Sequence, residues 1–148
     1  PGWAGDVRAT IHGLGLNTTP PDIVRACLEA VAYRFALIEQ RMCGNPACDH
    51  RMIASGGALL SSPAWMQMLA DVLNRPVVAS EEQEATSRGV ALLALESLGA
   101  IESIDELPAA DGAVYQPDAG RHNVYQAAIA RQETLYAQFY AEQMASRS

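Results

Sequence analysis

The chain has 148 residues, 49% hydrophobic and 18% charged, the make-up of one soluble globular core and not of a disordered segment. Its basic residues are all arginine and its formal net charge is −7. There is no basic surface for a phosphate backbone, so nucleic acid is not an expected partner, and the missing lysine excludes a Gly-x-x-x-x-Gly-Lys phosphate loop. No apolar run approaches the roughly 20 residues of a membrane span, and the start lacks the basic-then-apolar order of a signal peptide. No membrane contact and a cytoplasmic location are therefore expected, and Pro1 in place of methionine suggests a piece of something longer.

Asp6 to His12 alternates, with Val7, Ala9 and Ile11 facing one side and Asp6, Arg8, Thr10 and His12 the other, which predicts a half-buried strand. Gly13, Gly15 and Asn17 break the pattern. Thr19-Pro20-Pro21-Asp22 then opens a helix, with Thr19 as N-cap, Pro20 at the first helical position and Asp22 closing a capping box. The helix is predicted to run to about Met42. Asp22, Arg25 and Glu29 form a polar stripe, while Ile23, Cys27, Ala30, Val31, Ile38 and Met42 are apolar over much of the remaining surface. This predicts burial on more than one side, with Cys27 a small buried hydrophobe and Arg34 a snorkelling or interface cation.

Cys43-Gly44-Asn45-Pro46-Ala47-Cys48-Asp49-His50 places two thiols and an imidazole close together. A structural zinc site needs four ligands, and only Asp49 offers itself as a further one. The expected reading is a loop joining helix to strand, with no metal and no permanent Cys43–Cys48 disulfide.

Next comes Arg51-Met52-Ile53-Ala54-Ser55-Gly56-Gly57-Ala58-Leu59-Leu60-Ser61-Ser62-Pro63. Met52 to Ala54 reads as a short strand, Gly56-Gly57 as a turn open to torsions closed to other residues, and Ser62-Pro63 as an N-cap followed by proline at the first helical position. Such a turn lets a flat or charged group approach bare backbone, and the following helix N-terminus favours negative charge. It also serves many proteins merely to pack a helix on a sheet.

Trp65, Met66, Leu69, Val72 and Leu73 repeat at helical spacing, and Asn74-Arg75-Pro76 ends that helix. Pro76 to Ala79 reads as a buried strand. Ser80 to Gln83 reads as a capping box for a helix through Ala85, Gly89, Val90, Leu92 and Leu93, where the mid-helix Gly89 predicts close packing. Strands alternating with helices predict parallel neighbours, with ligands beyond the strands' carboxyl ends. Gly99 to Gly120 reads as an irregular connection with a solvated acidic patch at Glu102, Asp105 and Glu106. Tyr125, Ala128, Ile129, Gln132, Leu135, Tyr136, Phe139 and Tyr140 form a helical packing stripe.

Five ordered motifs carry a resemblance. Gly13-Leu14-Gly15-Leu16-Asn17-Thr18-Thr19, the helix from Arg25 to Tyr33, Ala54-Ser55-Gly56-Gly57-Ala58, Trp65 to Leu73 with Arg75-Pro76-Val77, and Glu84 to Ala94 resemble the C-terminal domain of FGGY-family carbohydrate kinases. The wording around Leu16-Asn17-Thr18-Thr19 and Ala54-Ser55-Gly56-Gly57 is most similar to the gluconate kinase branch, although xylulose, ribulose and glycerol kinases share the skeleton. The resemblance implies an α/β, actin-like (ribonuclease-H-like) ATPase domain. Residues 1–148 would form its partial C-terminal, nucleotide-binding part, closed by a terminal helix over residues 120–146. It further implies transfer of the terminal phosphoryl group of ATP, with Mg, to a sugar or sugar acid, the nucleotide meeting Gly56, Gly57, Ala58, Leu59, Leu60 and Ser61. Ser62 is the alternative serine. The catalytic aspartate and the phosphate loops of the family match nothing in this chain, so no residue is assigned to catalysis or to metal, and the sugar is expected to bind the missing N-terminal part.

Two classes of function follow: a piece of a sugar kinase with its nucleotide half-site, inactive alone, or a non-catalytic module of the same fold that binds nucleotide or protein. Asp71 is expected to be a surface or capping carboxylate. An edge strand at Val7 to Ile11 and an apolar helix from Ile23 to Met42 would leave unpaired backbone and apolar surface. The chain is therefore expected to self-associate, most simply as a two-fold dimer. Light scattering during size exclusion checks this: a mass of about one chain that does not change with concentration would refute it.

Overall fold

The computed structural model describes residues 9–43, 50–82 and 84–145, with side chains as far as residue 139. The elements run α1 (Pro20–Cys43), β1 (Met52–Ala54), α2 (Gly57–Leu60), α3 (Pro63–Leu73), β2 (Val77–Ser80), α4 (Ala85–Ser97), a 3₁₀ turn (Ile104–Glu106), β3 (Asp111–Tyr115) and α5 (Ala119–Ala145).

Helix α1 starts where the sequence says it should. The Thr19 amide and hydroxyl both donate to Asp22 Oδ2, at 2.9 and 2.7 Å, so one carboxylate holds the helix start and favours its positive end. In α3 the Ser62 hydroxyl accepts from the Trp65 amide at 3.4 Å, Pro63 takes the first helical position, and Asn74 closes the helix in the left-handed conformation at φ 52°, which asparagine tolerates.

Strand β2 is central. It pairs in parallel with β1 (Met52 with Val77, Ile53 with Val78, Ala54 with Ala79) and antiparallel with β3 (Val77 with Tyr115, Val78 with Val114, Ser80 with Asp111). On β3 two residues, Gly112 and Ala113, stand opposite the single residue Ala79, which is a β-bulge. The pairing sorts the side chains by face. Met52, Ala54, Val77, Ala79 and Tyr115 join the core, whereas Ile53 and Val114, flanking Val78 on the other face, remain 49% and 52% exposed. The helices therefore cover one face of this sheet.

That covering is organised by α3, whose Met66, Leu69, Ala70, Asp71 and Val72 are all buried. It lies on the sheet between α1 and α5, and the Trp65 indole donates to the Leu28 carbonyl of α1 at 3.3 Å. Helices α1 and α5 meet through Tyr33 and Tyr125, whose ring centroids are 6.0 Å apart. Arg34 lies 4.4 Å over the Tyr136 ring, an interface cation held by its attraction to the π face.

Several expectations change. Ala9 to His12, the described part of the expected first strand, is not in a strand and Ile11 is exposed, because no described strand pairs with it. Val7 and the rest of residues 1–8 lie outside the described residues. Helix α1 is buried along one stripe, Ala32, Tyr33, Ala36 and Leu37, while Val31, Ile38 and Met42 are exposed. Cys27 is exposed too, since it lies off that stripe. The capping box at Ser80 does not form: Ser80 ends β2, its hydroxyl accepts from Glu82 N at 3.1 Å, and α4 begins later, with Glu84 as an N-cap lacking any side-chain bond. Gln83 is outside the described residues. Helix α4 buries no residue, and a side chain at Gly89 would meet open space, so the expected close packing is absent. The connection from Gly99 to Gly120 holds the 3₁₀ turn, β3 and the first residues of α5. Antiparallel β3 breaks the all-parallel expectation; only two of its five residues, Val114 and Tyr115, favour strand.

The two glycines separate by experiment. At Gly112 an added Cβ would stand 2.9 Å from the Ala79 carbonyl oxygen, so Gly112→Ala is expected to cost about 1–3 kcal/mol. Gly89→Ala, helical and open, should gain up to about 1 kcal/mol. Urea midpoints at constant slope read both, and an unchanged midpoint for Gly112→Ala would refute the close approach.

Candidate functional site at the glycine turn

Strand β1 ends at Ala54, and the chain reverses into two helix starts in quick succession. Gly56 has φ 105° and ψ 128°, torsions that an L side chain rarely adopts. Its carbonyl accepts from Leu59 N at 3.1 Å and Leu60 N at 3.0 Å, and Gly57 O accepts from Ser61 N at 3.0 Å. The positive φ belongs to Gly56 and not to Gly57, which is absent from the left-handed glycines. A Cβ at Gly57 would meet nothing within 4 Å, so the fold itself does not require glycine there.

The six candidate nucleotide residues divide by direction. Gly56, Gly57, Ala58 and Ser61 are exposed and form a ledge beyond the carboxyl end of β1. Leu59 and Leu60 are half-buried and pack against the core, where they hold the ledge to α3. Ser62 spends its hydroxyl on the cap of α3, which leaves Ser61 as the exposed hydroxyl of the pair. The Gly57 and Ala58 amides stand at the start of α2, where no helical carbonyl precedes them. Neither of two described concavities, one between α1 and α5 and one open groove of about 830 Å³ beside Trp65 and Tyr125, includes any of the six residues. The ledge is a bare surface; a ligand enclosed here needs a second wall.

Asp71 departs most from expectation. Only 1% exposed, it accepts from Gln67 Nε2 at 2.9 Å, from the Asp118 amide at 2.9 Å, and from Arg121 Nε at 2.5 Å. Its own carbonyl accepts from His122 Nδ1 at 2.9 Å. Burial pushes the carboxyl up, but Arg121, the Asp118 amide and Gln67 outweigh it and hold it below the ordinary carboxylate range. So fully engaged a group ties the start of α5 to α3 and is not poised to take a proton. A lone aspartate on the apolar face of a helix is its sequence signal, which by itself reads as a surface or capping carboxylate.

Residues 1–98 match the model of the FGGY family of carbohydrate kinases, C-terminal domain. The chain belongs to that family. Glycerol kinase 1 of Thermotoga maritima is 36% identical over 107 residues, covering 72% of this chain and 22% of the relative. The glycerol kinase of Leptothrix cholodnii is 37% identical over 128 residues, 82% of this chain and 24% of the relative. Among solved structures, xylulose kinase from Lactobacillus acidophilus is similar at TM-score 0.79 and 23% identity, over 91% of this chain and 28% of that one. Gluconate kinase from the same organism gives 0.76 and 23%, over 89% and 27%. Plasmodium falciparum glycerol kinase with ADP gives 0.68 and 27%, also over 89% and 27%. This FGGY chain spans about a quarter of the length of the curated relatives it matches. It has their actin-like α/β ATPase fold, as a small mixed sheet with flanking helices. The gluconate branch is not singled out, because the sequence relatives above are glycerol kinases.

The Asp71 network has a measurable signature. Because its pKa in the fold is lowered, its ionic contribution is present above the unfolded carboxylate pKa of about 3.9 and is lost as pH falls through the lower folded value. Asp71→Asn is expected to cost about 2 kcal/mol at neutral pH, a modest figure because the Arg121 guanidinium is half exposed and screened. In urea titrations the gap between wild type and variant should narrow below about pH 4; a gap independent of pH would show that the contact is not ionic.

Proposed function

We propose that this FGGY chain supplies the adenine-nucleotide half-site of a carbohydrate kinase that moves the terminal phosphoryl group of ATP to a hydroxyl of a polyol, sugar or sugar acid. The observation that carries the reading is the exposed Gly56-Gly57 ledge at the carboxyl end of β1, in a family whose members named above are kinases. Phosphoryl transfer depends on positioning and on electrostatic stabilisation. Gly56 turns the chain, Gly57 and Ala58 keep the surface low enough for a base or ribose to lie against backbone, and Ser61 offers a hydroxyl. The α2 helix has four residues, too few to carry much of a dipole, so its help is steric and by hydrogen bonding. The nucleotide would bring Mg, which supplies charge neutralisation at the phosphates. Ser55 to Ser62 contains no carboxylate, so that ion's protein ligands lie outside this segment, as does the base that accepts the acceptor's proton.

Glycerol is the first acceptor to test because the sequence relatives named above are glycerol kinases. Gluconate, favoured by the wording of two motifs, and xylulose follow. Use of ATP argues for a cytoplasmic protein, and the described helices include none long and apolar enough to cross a membrane. The half-exposed Ile53 and Val114 on the uncovered sheet face support burial against further protein, either the rest of the kinase or a second copy.

Gly57 and Gly56 test the ledge against a merely structural turn. In the full-length kinase, Gly57→Val should fold normally and raise the KM for ATP at least tenfold with little change for the acceptor, a loss of about 1.4 kcal/mol. Gly56→Ala should instead lower stability by about 1–3 kcal/mol through its positive φ. Steady-state kinetics with urea melts distinguish them, and an unchanged ATP constant in a folded Gly57→Val would overturn the assignment.

A further inference from the structure

Where α1 ends and the chain approaches β1, three donors of different chemistry meet. Cys43 Sγ lies 3.3 Å from His50 Nδ1 and 3.9 Å from Nε2. Glu39 Oε1 lies 3.9 Å from His50 Nε2. One ligand atom from each of Glu39, Cys43 and His50 falls within 4.8 Å of the other two, and all three residues are half-buried. The sequence explains half of this: Glu39 and Cys43 are four apart and share one face of α1. The tertiary structure brings His50 to them.

A thiol–imidazole hydrogen bond beside a Glu39–Arg75 ion pair accounts for part of the cluster and not all of it. Glu39 Oε1 is completely buried and makes no hydrogen bond. Arg75 Nε stands 3.0 Å from it, an ion pair without hydrogen-bond geometry. The Arg75 charge offsets the burial of this oxygen in part but leaves its hydrogen-bonding capacity unused, and the imidazole lies 3.9 Å from it.

We propose that Glu39, Cys43 and His50 bind a zinc-class divalent cation. Thiolate, imidazole and carboxylate together select zinc or its cobalt surrogate, and not the oxygen-seeking magnesium that accompanies ATP. In a tetrahedral site the ligand atoms stand about 3.3–3.6 Å apart, so the present triangle, whose atoms all lie within 4.8 Å of one another, closes by a contraction of up to about 1.5 Å. Three protein ligands leave the fourth position to water. The carboxyl end of α1 adds the negative end of the helix dipole. Arg75 holds Glu39 as an outer partner, while its positive charge opposes a dication, which favours occupancy that follows metal supply over a permanently loaded structural zinc. On binding, Cys43 forms the sulfur–metal bond and its proton passes to solvent, so affinity rises with pH. The ion would join α1 to the strand that carries the Gly56-Gly57 ledge.

Cobalt titration of the chain under a non-chelating reductant tests this. One equivalent is expected to give a thiolate-to-cobalt charge-transfer band that zinc abolishes and magnesium does not. Cys43→Ser should remove the band, Glu39→Gln and His50→Gln should weaken binding at least tenfold, and Cys27→Ser should leave it unchanged. Circular dichroism and metal-free urea midpoints establish that each variant is folded, with Cys43→Ala replacing any Cys43→Ser that is not. No band at millimolar cobalt, a band that survives loss of Cys43, or full affinity in Glu39→Gln would each overturn the site.

Discussion

The burial of the middle of one helix, Leu69 to Val72 of α3, is the constraint on which the rest depends. Helix α3 has the sheet beneath it and α1 and α5 beside it, so its Met66, Leu69, Ala70 and Val72 have no water-facing alternative. Burying such side chains contributes about 1.5–3 kcal/mol each, enough to set where the neighbouring elements lie. A helix so enclosed can carry a charge only if that charge is matched. Asp71 is matched by groups from the start of α5, Asp118 and Arg121. The polar contact and the apolar one thus converge: packing places α5 near α3, and Asp71 fixes its direction.

The sheet explains why the glycine ledge is a surface and not a cleft. Parallel pairing such as that of β1 with β2 is stable when both faces are covered, yet Ile53 and Val114 on the second face stay half exposed. Helix α4, which lies between β2 and β3 in the chain, packs chiefly on the 3₁₀ turn and exposes Val90, Leu93 and Leu95. These apolar positions fit a protein whose relatives are about four times as long. Three of its aspartates are engaged in a cap or in ion pairs, Asp22 with Thr19, Asp71 with Arg121 and Asp111 with Arg51, so these carboxylates serve the fold.

The cluster at the root of β1 follows the same logic on a smaller scale. Its three residues sit where a long helix stops, and the strand that begins two residues after His50 leads directly to the glycine turn. Order at one end of that strand is order at the other, because β1 is three residues long and its pairing with β2 allows no slip without turning Ala54 out of the core.

The sequence by itself determined what is local. Thr19 with Asp22, Ser62 with Pro63 and Asn74 before Pro76 are end signals whose chemistry lies within four residues, so α1 and α3 were legible without a fold, as was the Gly56-Gly57 turn between strand and helix. Family membership was legible for the same reason, since the motifs are contiguous. Only the tertiary structure decided the rest. Whether an apolar position is core depends on what lies opposite: Cys27 and Ile38 are apolar and exposed, whereas Asp71 is charged and buried. Whether five residues such as Asp111 to Tyr115 form a strand depends on an open edge of β2 to accept them, which intrinsic propensity does not encode. And the side chains at positions 39, 43 and 50 become neighbours only when the chain returns from helix to strand, because distance in space is set by packing and not by spacing.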